Sequence, residues 1–429
     1  MLDLARYRLQ FFFAILVFVL CGTFLAIKFA QGYRLDLSSK TFRPTGLLVV
    51  SSTPTGAQVF IAGDLKTATN NTLSLPPGKY QVEIRKTGFL PWKKELTIEK
   101  ELVTQADALL FPGVPDLKPL TFQEVQNPQL SPDGTKVVYD IPLSYPEAGL
   151  WVMDLTDFFF NIGREPRQIV KSFPQAKDFE KADYFWSPDS KQILASFSQT
   201  DEKYLLDSGQ LNSPITLTNI AITWPQTANS WQKETQVRQE ARLKKLPEEV
   251  QKILQTKAEK VTFSPDGSKV LYVATGSAEI PDRLIPPVIA ASTQKESRKL
   301  EAGRLYAYDL KEDKNFLIPF TPAALTPTPT PSPSKRAKTP SPTPTPILPE
   351  NNRQFVTPRW FSTSRHLYWI EDNQVLACEY DGTNLTPIYT GPFIKPFVFI
   401  SPSADRLLVL TKITADEEAK PNLYAVSLR

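Results

Sequence analysis

Histidine is nearly missing from this 429-residue chain, which carries one, His366. A single imidazole cannot build a multi-histidine metal site, and any histidine-based acid–base chemistry would have to run through that residue. Cysteine is almost as scarce. Cys21 lies inside an apolar run and Cys378 far from it in sequence, so no disulfide framework is expected. An excess of charge is also lacking: 49 Lys and Arg face 45 Asp and Glu, dispersed along the chain, for a net charge of +4. That balance is too weak and too scattered to argue for nucleic acid. The sequence holds no Gly-x-Ser-x-Gly elbow, no glycine-rich phosphate loop, no His-Glu-x-x-His and no Cys-x-x-Cys. What is present is ordinary globular material, 41% hydrophobic and 22% charged, long enough for two to four domains. Proline is the outlier, with 39 residues against 17 glycines.

Residues 9–27 form an uncharged run of 19 residues, LQFFFAILVFVLCGTFLAI. As a helix it would extend about 28 Å, close to the hydrocarbon thickness of a bilayer. A cleaved signal peptide is the rival reading, but its shorter apolar core should end in small residues. Phe29, Gln31 and Tyr33 follow here instead, and Phe18-Val19-Leu20 before Cys21 lacks the small residue of a lipoprotein signal. The expectation is a short tail over 1–8, an uncleaved transmembrane helix over 9–30 and a linker over 31–45. The flanking charges do not decide orientation, because Lys28, Arg34, Lys40 and Arg43 outnumber Arg6 and Arg8.

From residue 46 the hydrophobic period drops to two. Leu47-Leu48-Val49-Val50-Ser51 reads as a strand, with Gln58-Val59-Phe60-Ile61-Ala62 as its partner across the Pro54-Thr55-Gly56 turn. Tyr80, Val82 and Ile84 share one face of a further strand, Leu96-Thr97-Ile98 makes another, and a last strand lies near 106–110. Five or more short strands over residues 46–112 make a small β-sandwich. These residues resemble the PEGA domain, an extracytoplasmic sandwich module. Its signature stands here as Pro54-Thr55-Gly56-Ala57, flanked by Val59, Gly63, the Leu75-Pro76-Pro77-Gly78-Lys79-Tyr80 run and Gly88-Phe89. Thr55 replaces the usual Glu. The resemblance implies a surface protein and no chemistry of the module's own.

A second self-similarity fills residues 118–429. Ser131-Pro132-Asp133-Gly134, Ser187-Pro188-Asp189-Ser190 and Ser264-Pro265-Asp266-Gly267 each precede an apolar strand. Two degraded copies start at Trp360-Phe361-Ser362 and Ile400-Ser401-Pro402. The Ser-Pro-Asp-Gly segment is a turn between two strands, and its Asp residues are turn formers. The pattern resembles the blades of TolB-type and WD-like β-propellers, which implies a propeller of five to seven blades. Unequal spacing between copies requires insertions. Residues 231–257 are charged and rich in helix formers, and Pro247 can start a helix with Val250, Ile253 and Leu254 on one side. This helical insertion reads as a lid packed on the propeller, with partner docking as the alternative. Residues 321–350 hold ten prolines between Pro322 and Pro349, a composition that imposes extended polyproline II and forbids a packed core. That insertion is a disordered linker, or else a glycosylated or recognised segment.

No residue is nominated for catalysis, cofactor binding or metal binding. His366 stands where Lys or Arg stands in sister repeats and is expected to be exposed. Cys378 alternates like a buried strand residue, and the adjacent pairs Glu248-Glu249 and Glu417-Glu418 read as solvated charge. The sequons at Asn70 and Asn384 are no more than chance supplies. The fold class is therefore mainly β: an N-terminal membrane helix, a PEGA-like sandwich and a propeller. The function that follows is a membrane-anchored extracytoplasmic binding or scaffold protein of the cell envelope, not an enzyme. Its expected partners are membrane lipid through the single span and an envelope protein or cell-wall polysaccharide, with no nucleic acid and no cofactor. The alternatives are a propeller-based envelope hydrolase or lyase, and an accessory subunit of a membrane complex.

Overall fold

The computed structural model describes residues 8–30, 34–36, 41–156, 165–172, 178–288, 291–320, 358–413 and 420–429. The chain is mainly β and divides into two compact units. One comprises Met1–Leu110 with Pro286–Lys295, the other Phe111–Ile285 with Glu296–Arg429. Helix α1 spans Arg8–Ala30. Its stretch Gln10–Lys28 is long and apolar enough to cross a membrane, and none of it is buried. Where a linker over 31–45 was expected, strands β1 (Arg34–Asp36) and β2 (Thr41–Arg43) pair antiparallel.

In the first unit β3 (Gly46–Thr53), β4 (Gln58–Ile61), β5 (Asp64–Ala68), β6 (Asn71–Leu75), β7 (Gly78–Arg85), β8 (Trp92–Ile98) and β9 (Val103–Leu109) form two sheets, ordered β6-β3-β9 and β5-β4-β7-β8. Leu48, Val50, Val59, Val82, Ile84, Trp92, Leu96 and Ile98 fill the core between them. The expected β3–β4 hairpin does not form. β3 is flanked by β6 antiparallel and β9 parallel, so both its edges are taken, and the Pro54-Thr55-Gly56 turn carries the chain into the other sheet. Periodicity showed which residues face inward but not which strands pair, because both arrangements bury the same face. Residues 286–295 join this unit: Thr97 N–H donates to Thr293 Oγ1 at 3.2 Å and Gln294 Nε2 to the Glu95 carbonyl at 2.7 Å.

The second unit begins with β10 (Leu117–Pro119). Its first sheet is β11 (Gln126–Leu130), β12 (Lys136–Ile141), β13 (Gly149–Asp154) and β14 (Arg167–Lys171). The second is β15 (Asp183–Trp186), β16 (Gln192–Phe197) and β17 (Glu202–Asp207). Helices α2 (Trp224–Leu243) and α3 (Glu248–Lys257) follow. The third sheet comprises β18 (Ala258–Phe263), β19 (Lys269–Ala274), β22 (Leu305–Asp309) and β23 (Lys314–Leu317), interrupted by the small pair β20 (Ala278–Glu279) and β21 (Lys299–Leu300). The fourth is β24 (Arg359–Trp360), β25 (His366–Glu371), β26 (Gln374–Glu379) and β27 (Thr386–Thr390). The fifth combines β28 (Val398–Ile400), β29 (Arg406–Thr411) and β30 (Asn422–Ser427) with β10, which pairs antiparallel along β30. One strand from each end of the unit thus shares a sheet.

Five copies of one turn build these sheets. In each, the first turn residue pairs its N–H with a carbonyl five residues on: Ser131 to Lys136, Ser187 to Gln192, Ser264 to Lys269, Phe361 to His366 and Ser401 to Arg406. The fourth residue is left-handed in all five, Gly134, Ser190, Gly267, Ser364 and Ala404, although only two are glycine. In the unbroken copies the Ser hydroxyl donates to the Asp carboxylate at 2.6–2.7 Å, and that carboxylate accepts a backbone N–H two residues later. Turns also join neighbouring sheets, Asp133 N–H to Ser190 Oγ at 3.2 Å and Asp266 N–H to Ser364 Oγ at 3.1 Å.

Faces pack in sequence order. The fifth sheet meets the first through Phe399, Leu408 and Leu410 against Val137, Tyr139 and Met153. The first meets the second through Val138, Leu150 and Val152 against Tyr184, Ile193 and Ala195. The third meets the fourth through Leu271 and Val273 against Leu367 and Trp369. Between the second and third the helices intervene. Trp224, Ala228 and Trp231 of α2 cover Phe185 and Leu194, while Val250 and Leu254 of α3 cover Val270, Tyr272, Tyr306 and Tyr308. Burying such side chains stabilises by about 1.5–3 kcal/mol apiece. The helical insertion is therefore longer than 231–257. Its first turn, with Pro225 beside the Trp224 N-terminus, precedes the charged stretch that marks it in sequence. The Pro/Thr/Ser-rich insertion 321–350 and Glu417-Glu418 lie outside the described residues.

Candidate functional site

A cleft of 420 Å³ lies in the second unit beside the β10–β30 pairing. Its floor comes from the first sheet. Tyr139 on β12 is directly opposite Trp151 on β13, and Met153 is two residues further on, so all three side chains emerge on one face. Its rim is the segment that follows β10, with Pro119, Leu120, Thr121, Phe122 and Gln123, and the opposite rim is Glu165-Pro166. Thr121 pins the first rim: its hydroxyl donates to Asn422 Oδ1 and accepts the Leu423 N–H, both at 3.0 Å. Trp151 is held by its indole N–H, which donates to the Glu147 carbonyl at 2.9 Å. Phe122 stands 83% exposed at the mouth. Burial pushes the Tyr139 phenol well above its ordinary pKa, so it stays neutral. Three aromatic residues, two prolines and one carboxylate give the cleft a largely apolar lining, the kind of surface that suits a partly apolar ligand. A nucleophile with an adjacent base is not among the lining groups.

The residues weighed from sequence lie apart from this cleft. His366, expected exposed, is buried at the start of β25. Phe361, which stands where the sister repeats carry the turn serine, lies 5.5 Å from the imidazole and Phe111 lies 6.1 Å away; the equivalent Lys269 is buried as well. Cys378 is buried in β26, and burial, helped by Asp381 and Glu379, raises its thiol pKa far from the thiolate range. Burial opposes ionisation of Asp133 and Asp266, but hydrogen bonds from turn hydroxyls and amides lower both pKa values. For Asp189 the Ser187 hydrogen bond is the main cause of the same shift. Glu248 and Glu249 are exposed in the first turn of α3. Among the described residues no cluster of three or more His, Cys, Asp or Glu could hold a metal ion.

Sequence reasoning missed Asp140. It is fully buried on β12, and neither carboxylate oxygen has a hydrogen-bond partner among the described residues; the same holds for Gln129 Nε2. Burial, reinforced by the charges of Glu180, Asp178 and Glu124, pushes its pKa up to about 8. The signal available in sequence was a charged residue in the apolar stretch Val137-Val138-Tyr139-Asp140-Ile141, where the sister repeats carry Ser196, Val273, Ile370 and Leu410.

Residues 45–112 match the PEGA domain family, about one sixth of the chain. A search of curated proteins gives no match. Among solved structures the chain is similar to TolB from Acinetobacter baumannii, at 11% identity over 81% of this chain and 60% of that one, with a TM-score of 0.21. It is also similar to KlHsv2 with loop 6CD replaced by a Gly-Ser linker, at 8% identity over 68% and 75%, TM-score 0.23. The tricorn protease aligns at 13% identity over 80% of this chain and 26% of its own, TM-score 0.19. TM-scores this low carry no argument about the second unit.

Proposed function

We propose that this chain is a membrane-anchored, extracytoplasmic binding or scaffold protein of the cell envelope. The observation that carries the reading is the exposed apolar helix Gln10–Lys28 followed by a PEGA match over 45–112. An apolar helix with no buried side has no place in a soluble core, and a bilayer supplies the missing environment. The PEGA-like sandwich then acts as a spacer.

The second unit is read as a β-propeller. The fifth sheet packs on the first, the first on the second and the third on the fourth, the helix pair lies between the second and third, and β10 joins β30. Pairing the first strand with the last removes two open edges at once. The aromatic cleft is the contact surface, for an envelope protein in preference to nucleic acid, since its one charged lining group is acidic. The protein acts by binding and not by catalysis. Four of its strongly shifted groups, Asp140, Tyr272, Tyr308 and Cys378, are buried in sheet packing, and Tyr139, which lines the cleft, is a neutral phenol with no base among the lining groups beside it except Glu165 on the opposite rim.

The test uses spheroplasts that express a Lys311→Cys chain, treated with a membrane-impermeant maleimide. Lys311 is exposed, Cys378 is buried and Cys21 lies within α1. Labelling of intact spheroplasts, with the full-length mass retained in alkali-washed membranes, is the expected result. Labelling only after lysis would overturn the orientation, and a shortened soluble product would replace the anchor with a cleaved signal.

A further inference from the structure

We infer that the aromatic cleft of the second unit is a polyproline-binding groove whose occupant is residues 322–349 of this same chain. This deepens the reading of the cleft as a binding surface and rests on it. The argument begins with the lining. Trp151, half-buried, and Phe122, left 83% exposed, offer their rings to the cleft above the buried Tyr139, and Pro119 and Pro166 stand at the two rims. Flat aromatic rings set side by side receive the ridges of a polyproline II helix, which enters with little conformational entropy left to lose. A compact sugar or nucleotide would need convergent hydrogen-bonding groups, and this wall offers few.

Charge adds a second constraint. Glu165 is the one charged lining residue, and Glu147, whose carbonyl holds Trp151, is exposed. The matching ligand is therefore proline-rich and basic. The sequence between Phe320 and Pro358 has that chemistry: Thr-Pro and Ser-Pro repeats flank Lys335-Arg336-Ala337-Lys338, and the segment contains no acid from 321 to 349. Reach is sufficient as well. Eighteen residues of polyproline II extend roughly 56 Å, against a radius of gyration of roughly 19 Å for a domain of about 300 residues. The basic centre of the segment can meet the cleft while both its ends stay attached.

The experiment uses the full chain in mild detergent with residues 322–349 replaced by a Gly/Ser linker, titrated with a synthetic peptide spanning 322–349 and followed by calorimetry. The expected result is saturable binding with a sub-millimolar Kd, weakened at least tenfold by Phe122→Ala or Trp151→Ala. Glu165→Gln should weaken it about threefold and flatten its salt dependence. The unaltered chain should bind the peptide at least tenfold more weakly, because its own segment competes at high effective concentration. Phe122 is exposed, so its substitution leaves the fold intact, and circular dichroism verifies this.

Absence of binding, insensitivity to Phe122→Ala, or equal affinity for the linker variant and the unaltered chain would each overturn the proposal. Capture of an envelope protein at the cleft without peptide binding would sink this proposal and leave the broader reading standing. Maleimide labelling of Lys311→Cys is indifferent to every one of these outcomes.

Discussion

The two units solve the same problem with opposite surface economies. In the first, strands are buried on one face: β3 alternates from Leu48 and Val50, both buried, to exposed Leu47 and half-buried Val49. In the second, central strands are buried on both faces. Every residue of β19 is buried, as are five of six in β12 and in β29. A sandwich has two sheets and therefore two wet outer faces, whereas a series of stacked sheets leaves its middle strands no wet face at all. The difference teaches that stability in the second unit depends on every neighbour being present, and its consequences can be ranked.

The largest effect is expected from removing residues 422–429. That deletion takes away β30, strands β10 beside it and exposes Leu408 and Leu410. Calorimetry should show the transition of the second unit abolished while that of the first persists. Joint loss of both would mean that the units do not melt on separate grounds.

Next come adjacent-residue substitutions. Val137→Thr and Val138→Thr place a hydroxyl in two different cores, and each should cost about 1–3 kcal/mol. In β7 only one of two neighbours should matter: Val82→Thr should cost a similar amount, and Gln81→Thr should stay within about 0.5 kcal/mol. Denaturant midpoints would check all four.

Asp140 gives the second unit a pH dependence that the first does not share. Its carboxyl titrates near pH 8 when folded, against about 3.9 when unfolded. Over that interval the folded state keeps a proton that the unfolded state has lost. Stability is therefore full below about pH 4 and falls as pH rises, by up to about 1.4 kcal/mol per pH unit, until the folded pKa is passed. Asp140→Asn should flatten the slope and raise the melting temperature at pH 9. A slope unchanged by that substitution would place the titrating group elsewhere.

A modest effect is expected from replacing 322–349 with a short Gly/Ser linker: closure entropy changes by roughly 0.6 kcal/mol for each twofold change in loop length, and losing a docked segment whose effective concentration exceeds its Kd about tenfold removes about 1.4 kcal/mol. A shift of the melting temperature by more than a few degrees would show that the segment contributes to the fold itself.

The same contrast governs how much could be read from residues. The sandwich core was visible because Tyr80, Val82 and Ile84 alternate, yet its pairing was not: β3 bonds β6 and β9, and a parallel partner 56 residues away leaves no local trace. The five turns were visible because Ser-Pro-Asp-Gly is chemically specific, and even the degraded copies keep the left-handed fourth residue. His366 was misjudged because a ring that packs beside it, Phe361, stands in a position read as a degraded turn. The start of α2 was hidden because two of its buried residues, Trp224 and Ala228, precede the charged stretch that announces a helix. The cleft had no sequence signature, since its rims come from β10 and from residues 165–166, more than 40 positions apart.

In the propeller reading the pairing of β10 with β30 closes the second unit, and a designed disulfide tests that reading most directly. Leu117 and Val426 are directly opposite in that ladder. The Leu117→Cys/Val426→Cys chain, carrying Cys21→Ser, should oxidise to one intrachain bond and gain about 2–4 kcal/mol of stability over its reduced form. Failure to form the bond in the folded protein, or a bond that leaves melting unchanged, would contradict the closure.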